Sequence, residues 1–332
     1  NHALAVTSCT TGLHLALAAM GVGPGDEVIV PAFTWIATAN VVLYCGAKPV
    51  FVDVSRVTFN MDPEQVAAKV TDRTKVIIPV HLFGLCADMD AIKAVIPKHV
   101  KVLEDAACAA GAKYKTKYAG TLGDAAAFSF HPRKSITTGE GGMVTTDDNA
   151  LAEFMNQMRN HGATMSEEQR HHGPKPYVLP DFNLLGFNYR MTDLQGAVGL
   201  VQLPKLTGFI SERAKWAQFY REQLSDIEWL RLPQEPEEGM HGWQSFVTYV
   251  DPLNSPMSRN ELMELLQEKG ISTRPGTHAV HMLGLYKEKY DLARDDFPGA
   301  RDCNDNTMAI PLHNRMTEED YLYVVAIIKE LA

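Results

Sequence analysis

The chain has 332 residues, 45% hydrophobic and 21% charged, an ordinary globular composition with length enough for two domains. Its 31 Lys and Arg against 40 Asp and Glu give a net charge of −9, which argues against an extended nucleic-acid surface, and no run of 18 or more apolar residues is present to span a membrane. Five cysteines (Cys9, Cys45, Cys86, Cys108 and Cys303) are odd in number and lack metal-ligand spacing, so they are expected as reduced thiols in a cytoplasmic protein.

The first two-thirds alternate strand and helix. Leu4-Ala5-Val6 reads as a strand that starts without cap or tail, which predicts a further N-terminal segment before it. Ser8-Cys9-Thr10-Thr11-Gly12 opens a helix whose apolar face is Leu13, Ala16, Leu17 and Met20, at i, i+3, i+4, i+7. Val28-Ile29-Val30 is a strand, followed by a helix through Ala37 to Tyr44. Pro49-Val50-Phe51-Val52 is a strand, and Asp62-Pro63-Glu64-Gln65 a helix start with Asp as cap and Pro at the first position. Val76 to Val80 is a strand, and Asp88 opens a helix. Val102-Leu103-Glu104-Asp105 is a buried strand that finishes in two acids. Ala125 to Phe130 and Met143 to Thr146 are two more strands.

Residues from Ala163 to Asp181 read as a polar loop containing His171-His172-Gly173-Pro174-Lys175-Pro176. The adjacent histidines have no further ligands at metal spacing and read as solvated. Thr192-Asp193-Leu194-Gln195 is a capping box that starts a long helical stretch toward Leu224. Pro233 to Gly239 is a hinge. Phe246 to Val250 is a strand, Ser258 caps a helix that stops at Gly270, and Thr317 starts a last helix with the stripe Tyr321, Val324, Val325 and Ile328. Repeated β-α units imply an α/β fold with a mostly parallel sheet covered on both faces, here residues 1–205, followed by a smaller α+β domain, residues 206–332.

In such sheets, sites form beyond the carboxyl ends of the strands, and several chemically capable residues fall there. The turn Ser8-Cys9-Thr10 precedes a helix N-terminus, which is an anion seat or an ordinary cap. Asp105 ends an apolar strand; it needs a partner there, and a cationic ring nitrogen, a helix cap or a metal would each serve. Phe33-Thr34-Trp35 follows another strand and could stack on a planar ring or pack in the core. Lys134 leaves a buried strand toward Gly139-Glu140-Gly141-Gly142; burial of an amine lowers its pKa and frees the lone pair for imine chemistry, whereas a solvated lysine would do none of this. A phosphate seat, a stacking aromatic, an acid for a pyridine nitrogen and an imine-forming lysine are together the contacts that pyridoxal phosphate requires. Gly21-Val22-Gly23-Pro24-Gly25 follows a helix and precedes a strand, the wrong order for a dinucleotide fingerprint, so a nicotinamide oxidoreductase is disfavoured.

Ser129-Phe130-His131-Pro132-Arg133-Lys134 through Gly139-Glu140-Gly141-Gly142 resembles the DegT/DnrJ/EryC1/StrS aminotransferases, fold-type-I pyridoxal-phosphate enzymes acting on keto sugars that are usually nucleotide-linked. Further matches are Gly25 to Pro31, Asp53 after Pro49 to Val52, Pro79 to Gly84, Glu104-Asp105-Ala106-Ala107 and Gly186 to Gln195, so the similarity covers nearly the whole chain. The resemblance implies that Lys134 holds the cofactor covalently and then shuttles the proton between its two carbon positions. It implies that Asp105 keeps the ring nitrogen protonated, that Trp35 stacks on the ring, and that Cys9, Thr10 and Ser129 hold the phosphate. Asn188 would reach the phosphate from a neighbouring subunit, making a homodimer part of the site. His281 resembles a histidine near the sugar in the family; apart from the resemblance, Arg190 and the loop from Ala163 to Asp181 are candidates for reading the substrate. Where the family usually has Gln or His near the ring oxygen, this chain has Cys108, a weaker donor.

The function expected is transfer of an amino group, from glutamate, to a nucleotide-linked keto sugar. An acidic chain can still bind an anionic sugar nucleotide in a local basic pocket. A pyridoxal-phosphate-binding regulator is the alternative, since a fold does not prove a chemistry. A sibling branch of the family replaces the lysine by histidine and removes a hydroxyl; Lys134 favours transamination over that dehydration.

Overall fold

The computed structural model describes residues 1–165, 167–173, 175 and 177–332. Its central sheet has seven strands in the spatial order His2–Val6, Gly142–Thr146, Ala125–Ser129, Lys101–Asp105, Thr74–Ile77, Glu27–Pro31 and Lys48–Val52. Gly142–Thr146 is antiparallel to both its neighbours, and the remaining pairings are parallel. The expected architecture is thus present: a mostly parallel sheet with helices on both faces.

The buried runs explain the two-sided cover. In Glu27–Pro31, Val28 and Val30 join one core with Leu13, Leu17 and Val41, whereas Ile29 points to the other face and joins Val66, Ile77, Met89 and Ile92. A strand whose successive side chains face opposite ways must be apolar throughout when both faces are buried. Helix Cys9–Ala19 lies close on the sheet because small residues meet there: a Cβ at Gly12 would come within 2.8 Å of Val144 and 3.4 Å of the Ala127 Cβ.

A second sheet takes the order Leu230–Arg231, Phe246–Val250, Thr307–Ile310 and Arg274–Pro275, all antiparallel. Helices Leu206–Gln223, Arg259–Glu268 and Glu318–Leu331 close its core, in which the Trp216 and Tyr321 rings stack at 4.2 Å. The stretch holding Ala279, Val280, Tyr286, Phe297, Ala300 and Cys303 packs into the core of the large sheet instead. Asp53 fastens it there: its carboxylate accepts the Gly299 and Ala300 N–H groups at 2.8 and 2.7 Å, at the N-terminus of helix Pro298–Asn306.

Several boundaries differ from expectation for local reasons. The strand expected over 76–80 ends at Ile77, because Pro79 has no N–H to donate; Val80 keeps an isolated bridge to Asp105. The long helix after Thr192 keeps its capping box but passes through a 3₁₀ turn, Leu203–Lys205, around Pro204. The expected loop from Ala163 to Asp181 contains a short helix, Glu167–His172, and is closed at its base by Thr164 N donating to Asp181 O at 2.9 Å. His171 and His172 are exposed on it. Ser166, Pro174 and Pro176 of that loop lie outside the described residues. Among the described residues no helix is long and apolar enough to cross a membrane, and all five cysteines are free thiols.

Candidate active site

Asp105 ends the Lys101–Asp105 strand and is 5% exposed. Its backbone is clamped on both sides, donating to Pro79 O at 2.9 Å and accepting from His81 N at 3.0 Å. The carboxylate receives the Thr38 hydroxyl at 2.8 Å and the Ala107 N–H at 3.2 Å, and the Cys9 thiol lies 3.9 Å away. Among the described residues it has no ion pair. Burial, and then the charge of Asp105, push the Cys9 thiol well above its ordinary value, so this sulfur stays protonated beside the acid.

Lys134 sits in the turn that follows Ala125–Ser129. Its own N–H donates to His131 O at 2.9 Å, and the turn closes through Thr138 N to Phe130 O at 3.0 Å. The Lys134 Nζ reaches inward and lies 3.1 Å from the Cys108 Sγ. Burial alone would lower the pKa of this amine, as expected from the sequence. The thiol of Cys108, then Cys9 and Asp105, outweigh burial, and the net shift is upward. The expectation of a depressed lysine is therefore overturned. A cluster with one amine amid two thiols and a carboxylate favours the ammonium form.

The glycine turn after Lys134 serves the neighbouring helix. A Cβ on Gly142 would fall 2.5 Å from the Ser8 carbonyl carbon and 2.7 Å from the Cys9 nitrogen, so only glycine lets this strand pass the start of helix Cys9–Ala19. At that start, Ser8 Oγ takes the Thr11 N–H at 3.2 Å and Ser8 O takes the Gly12 N–H at 3.1 Å. The N–H groups of Cys9 and Thr10 precede the first intrahelical bond and have no partner among the described residues, which leaves an anion seat. Ser129 lies across from it, paired with Gly142, its hydroxyl accepting a long bond from His131 N at 3.4 Å.

The family profile of the DegT/DnrJ/EryC1/StrS aminotransferases matches residues 1–329. The chain belongs to this family. It is 42% identical over 99% of its length to GDP-perosamine synthase of Caulobacter vibrioides, covering 85% of that protein. Its structure is similar to that of DesV from S. venezuelae, solved with a ketimine intermediate (TM-score 0.88, 32% identity, 99% of this chain and 84% of that one). It is also similar to Spr1654 from Streptococcus pneumoniae in its PLP form (TM-score 0.89, 26% identity, 99% and 88%).

Aminotransferases of this family use pyridoxal phosphate, and the donor set of this chain fits that group. A buried acid without a cation, an adjacent lysine amine and two free helix-terminal N–H groups are the complement of a ring nitrogen, an aldehyde and a phosphate. Trp35 is 56% exposed, so it does not pack in the core. Its ring meets His278 edge-on at 5.6 Å.

Three further residues named from the sequence lie away from this cluster. Asn188 and Arg190 are exposed on a segment that adds to the edge of the sheet, where Thr7 N donates to Tyr189 O at 3.0 Å. Asn188 bridges to Asn160, and the Arg190 guanidinium donates to the Asn160 side chain at 2.7 Å. His281 is 0% exposed. Its Nε2 lies 3.1 Å from Arg294 O, its ring packs on Phe297, and burial lowers its pKa. The histidine beside Trp35 is His278.

Sequence reasoning missed three contributors. Thr38, on helix Ala37–Tyr44, donates to Asp105; its place one turn after Trp35 was the only sequence signal, and its burial emerges only in the fold. Gln244 Nε2 donates to Arg133 O at 3.1 Å and ties the segment entering the second sheet to the lysine turn. His278 pairs with Thr34 in a two-stranded ribbon that brings the C-terminal third to the site. Neither of the last two had a local signal.

Proposed function

We propose that the chain aminates a 3- or 4-keto sugar linked to a nucleotide, with glutamate as amino donor, and that it works as a cytoplasmic homodimer with shared sites. The observation that carries this reading is the convergence of Lys134, Asp105 and the Cys9–Thr10 amides at the carboxyl edge of the sheet. The relative named GDP-perosamine synthase, 42% identical, supports a nucleotide-linked substrate.

The cofactor supplies an aldehyde that accepts the amino group and a ring that accepts electrons. Lys134 is the residue that would hold the cofactor covalently, and its Nζ would shuttle the proton between the two carbon positions. Asp105, oriented by Thr38, Ala107 N–H and the clamp on its backbone, holds a proton on the ring nitrogen. The Cys9 and Thr10 amides and Ser129 seat the phosphate. Trp35 would stack on the ring, and Cys108 would stand where the family has a donor to the ring oxygen. Arg190 and the loop from Ala163 to Asp181 face the sugar nucleotide, and Asn188 completes a partner subunit's phosphate seat. His281 holds the wall behind the sugar through Phe297 and Arg294. The chain divides functionally near residue 205, with 206–332 closing over the sugar.

The exposed apolar side chains support the homodimer. Helix Asp193–Gln202 buries none of its own residues, and Leu194, Leu200, Val201 and Leu203 along this stretch are exposed, as are Leu179, Phe182 and Leu185 before it in the chain. A helix that buries none of its residues and exposes large apolar side chains fits a subunit contact. A Leu200→Lys, Val201→Lys protein is expected to sediment as a monomer and to lose turnover.

The test of the reaction is direct. Glutamate added to the pyridoxal-phosphate-loaded protein should abolish its visible absorbance band and release 2-oxoglutarate in equal amount. A Lys134→Ala protein should do neither. Full turnover by Lys134→Ala, or a loaded protein inert to every amino donor, overturns the reading in favour of a cofactor-binding regulator.

A further inference from the structure

We propose that Cys108 and Lys134 form a peroxide-sensitive pair, in which oxidised Cys108 captures the Lys134 Nζ in a sulfur–nitrogen bond and so withholds the amine from the cofactor. The inference rests on the reading of Lys134 as the cofactor lysine only where it concerns protection by the cofactor. The pair itself stands on geometry.

Among the described residues Cys108 is the one cysteine whose sulfur meets a lysine amine, at 3.1 Å, and it is only half-buried. The other thiols are placed differently. Burial pushes Cys45 up to about 11, Cys86 to about 12 and Cys303 to about 12, and Cys9 is buried against Asp105. Oxidation begins on a thiolate that solvent can reach, so it is selective for a sulfur that is open and has a cation beside it.

The chemistry balances with hydrogen peroxide as the oxidant. The Cys108 thiolate attacks one peroxide oxygen, the O–O bond breaks, and a sulfenic acid and one water result. The lone pair of Lys134 Nζ then attacks the sulfenic sulfur. The S–O bond breaks, its oxygen leaves as a second water, and an S–N bond remains. The protein loses two hydrogens in all, and the peroxide is reduced to two waters. The second step needs a neutral amine. Burial already works against the ammonium, and converting Cys108 to an uncharged sulfenic acid removes the partner that most supports it. A small thiol reverses the change by attacking sulfur, which frees the amine and, with a second thiol, restores Cys108. Sulfenic acids are known to condense with nearby nitrogen in this way.

The experiment compares protein stripped of pyridoxal phosphate with protein loaded with it. Both are treated with hydrogen peroxide, digested without reductant and read by mass spectrometry. In the stripped protein the peptides carrying Cys108 and Lys134 should be joined and lighter by one pair of hydrogens, and dithiothreitol should separate them. Reloading, read as the visible band, should fail until dithiothreitol is added. In the loaded protein the joined species should be on the order of tenfold scarcer, because Nζ is occupied. Cys108→Ser and Cys108→Ala proteins should show no joined species, and peroxide should leave the loading of each at the level that the same variant reaches untreated.

Three results would overturn the proposal: Cys108 carried to a sulfinic acid with Lys134 free, a disulfide from Cys108 to Cys9, or peroxide blocking reloading equally in the Cys108 variants. Equal joining in stripped and loaded protein would confirm the pair and count instead against Lys134 as the cofactor lysine.

Discussion

Glu104 and Asp105 are consecutive acids on one buried strand, facing opposite sides of the sheet, and they are treated in opposite ways. Glu104 is 0% exposed and saturated. It accepts Gly120 N–H at 2.7 Å, Leu122 N–H at 2.6 Å and Gly123 N–H at 2.7 Å, and its Oε2 lies 2.8 Å from His81 Nε2. The His81 Nδ1 accepts Ala87 N–H, which leaves Nε2 as the donor to Glu104. Burial works to raise the Glu104 pKa, but these donors outweigh it and the net shift is downward. Asp105 has one hydroxyl, one amide and a distant thiol. The lesson is that a buried carboxylate with every lone pair engaged holds the fold, whereas one with capacity left over at the open edge of a sheet awaits a ligand. His81 joins the two, bonding Glu104 by its ring and Asp105 by its backbone.

The sharpest test of that contrast is to neutralise each acid in turn. Asp105→Asn should lower kcat on the order of 10²–10³-fold by removing a preorganised charge. The same change should move the melting temperature of the cofactor-stripped protein little, since among the described residues Asp105 makes no ion pair within 4.0 Å and the relief of a buried charge offsets the lost field on Lys134. Glu104→Gln should do the reverse. An amide nitrogen aimed at backbone donors leaves at least one buried group unpaired, for a loss of ~3 kcal/mol. Calorimetry should show a melting temperature lower by roughly 4 °C, with kcat of the folded fraction within about threefold of the parent. Equal effects of the two variants on both measurements would erase the distinction.

Acid should sharpen the comparison further. The folded-state pKa of Glu104 lies below its ordinary value of 4.5, so the unfolded chain takes up the proton first. Its contribution is fully present above 4.5 and is lost as pH falls through the lower folded value. The stability gap between the parent and Glu104→Gln should therefore be constant near neutrality and narrow below pH 4.5, as followed by denaturant titration. A gap that widens on acidification would contradict the assigned direction.

The smallest expected effect is at the support of Asp105. Thr38→Val keeps the shape of a buried side chain but deletes the 2.8 Å bond to the carboxylate. A loss of about 1 kcal/mol in transition-state stabilisation, near fivefold in kcat, is expected with KM for the sugar unchanged. A rise in KM with kcat unchanged would assign Thr38 to substrate binding instead.

Much of this molecule was legible in residue order. Apolar runs marked the strands, Ser8, Thr192, Ser258 and Thr317 marked helix starts that the structure caps as expected, and an acid ending one strand and a lysine in the turn after another marked the edge where a cofactor belongs. Those features are local: periodicity, capping and strand ends are written within a few residues. What tertiary structure alone decided were meetings across long separations. Thr38 reaches Asp105 across 67 positions, and Asp53 caps a helix 246 positions later. The direction of the Lys134 shift belongs here too, because it depends on Cys108 and Cys9 arriving beside the amine. So does the burial of His281, behind Phe297 and the Arg294 carbonyl. A sequence specifies which side chains can do chemistry; packing specifies which of them share a cavity, because the free energy of a charge depends on its neighbours and not on its place in the chain.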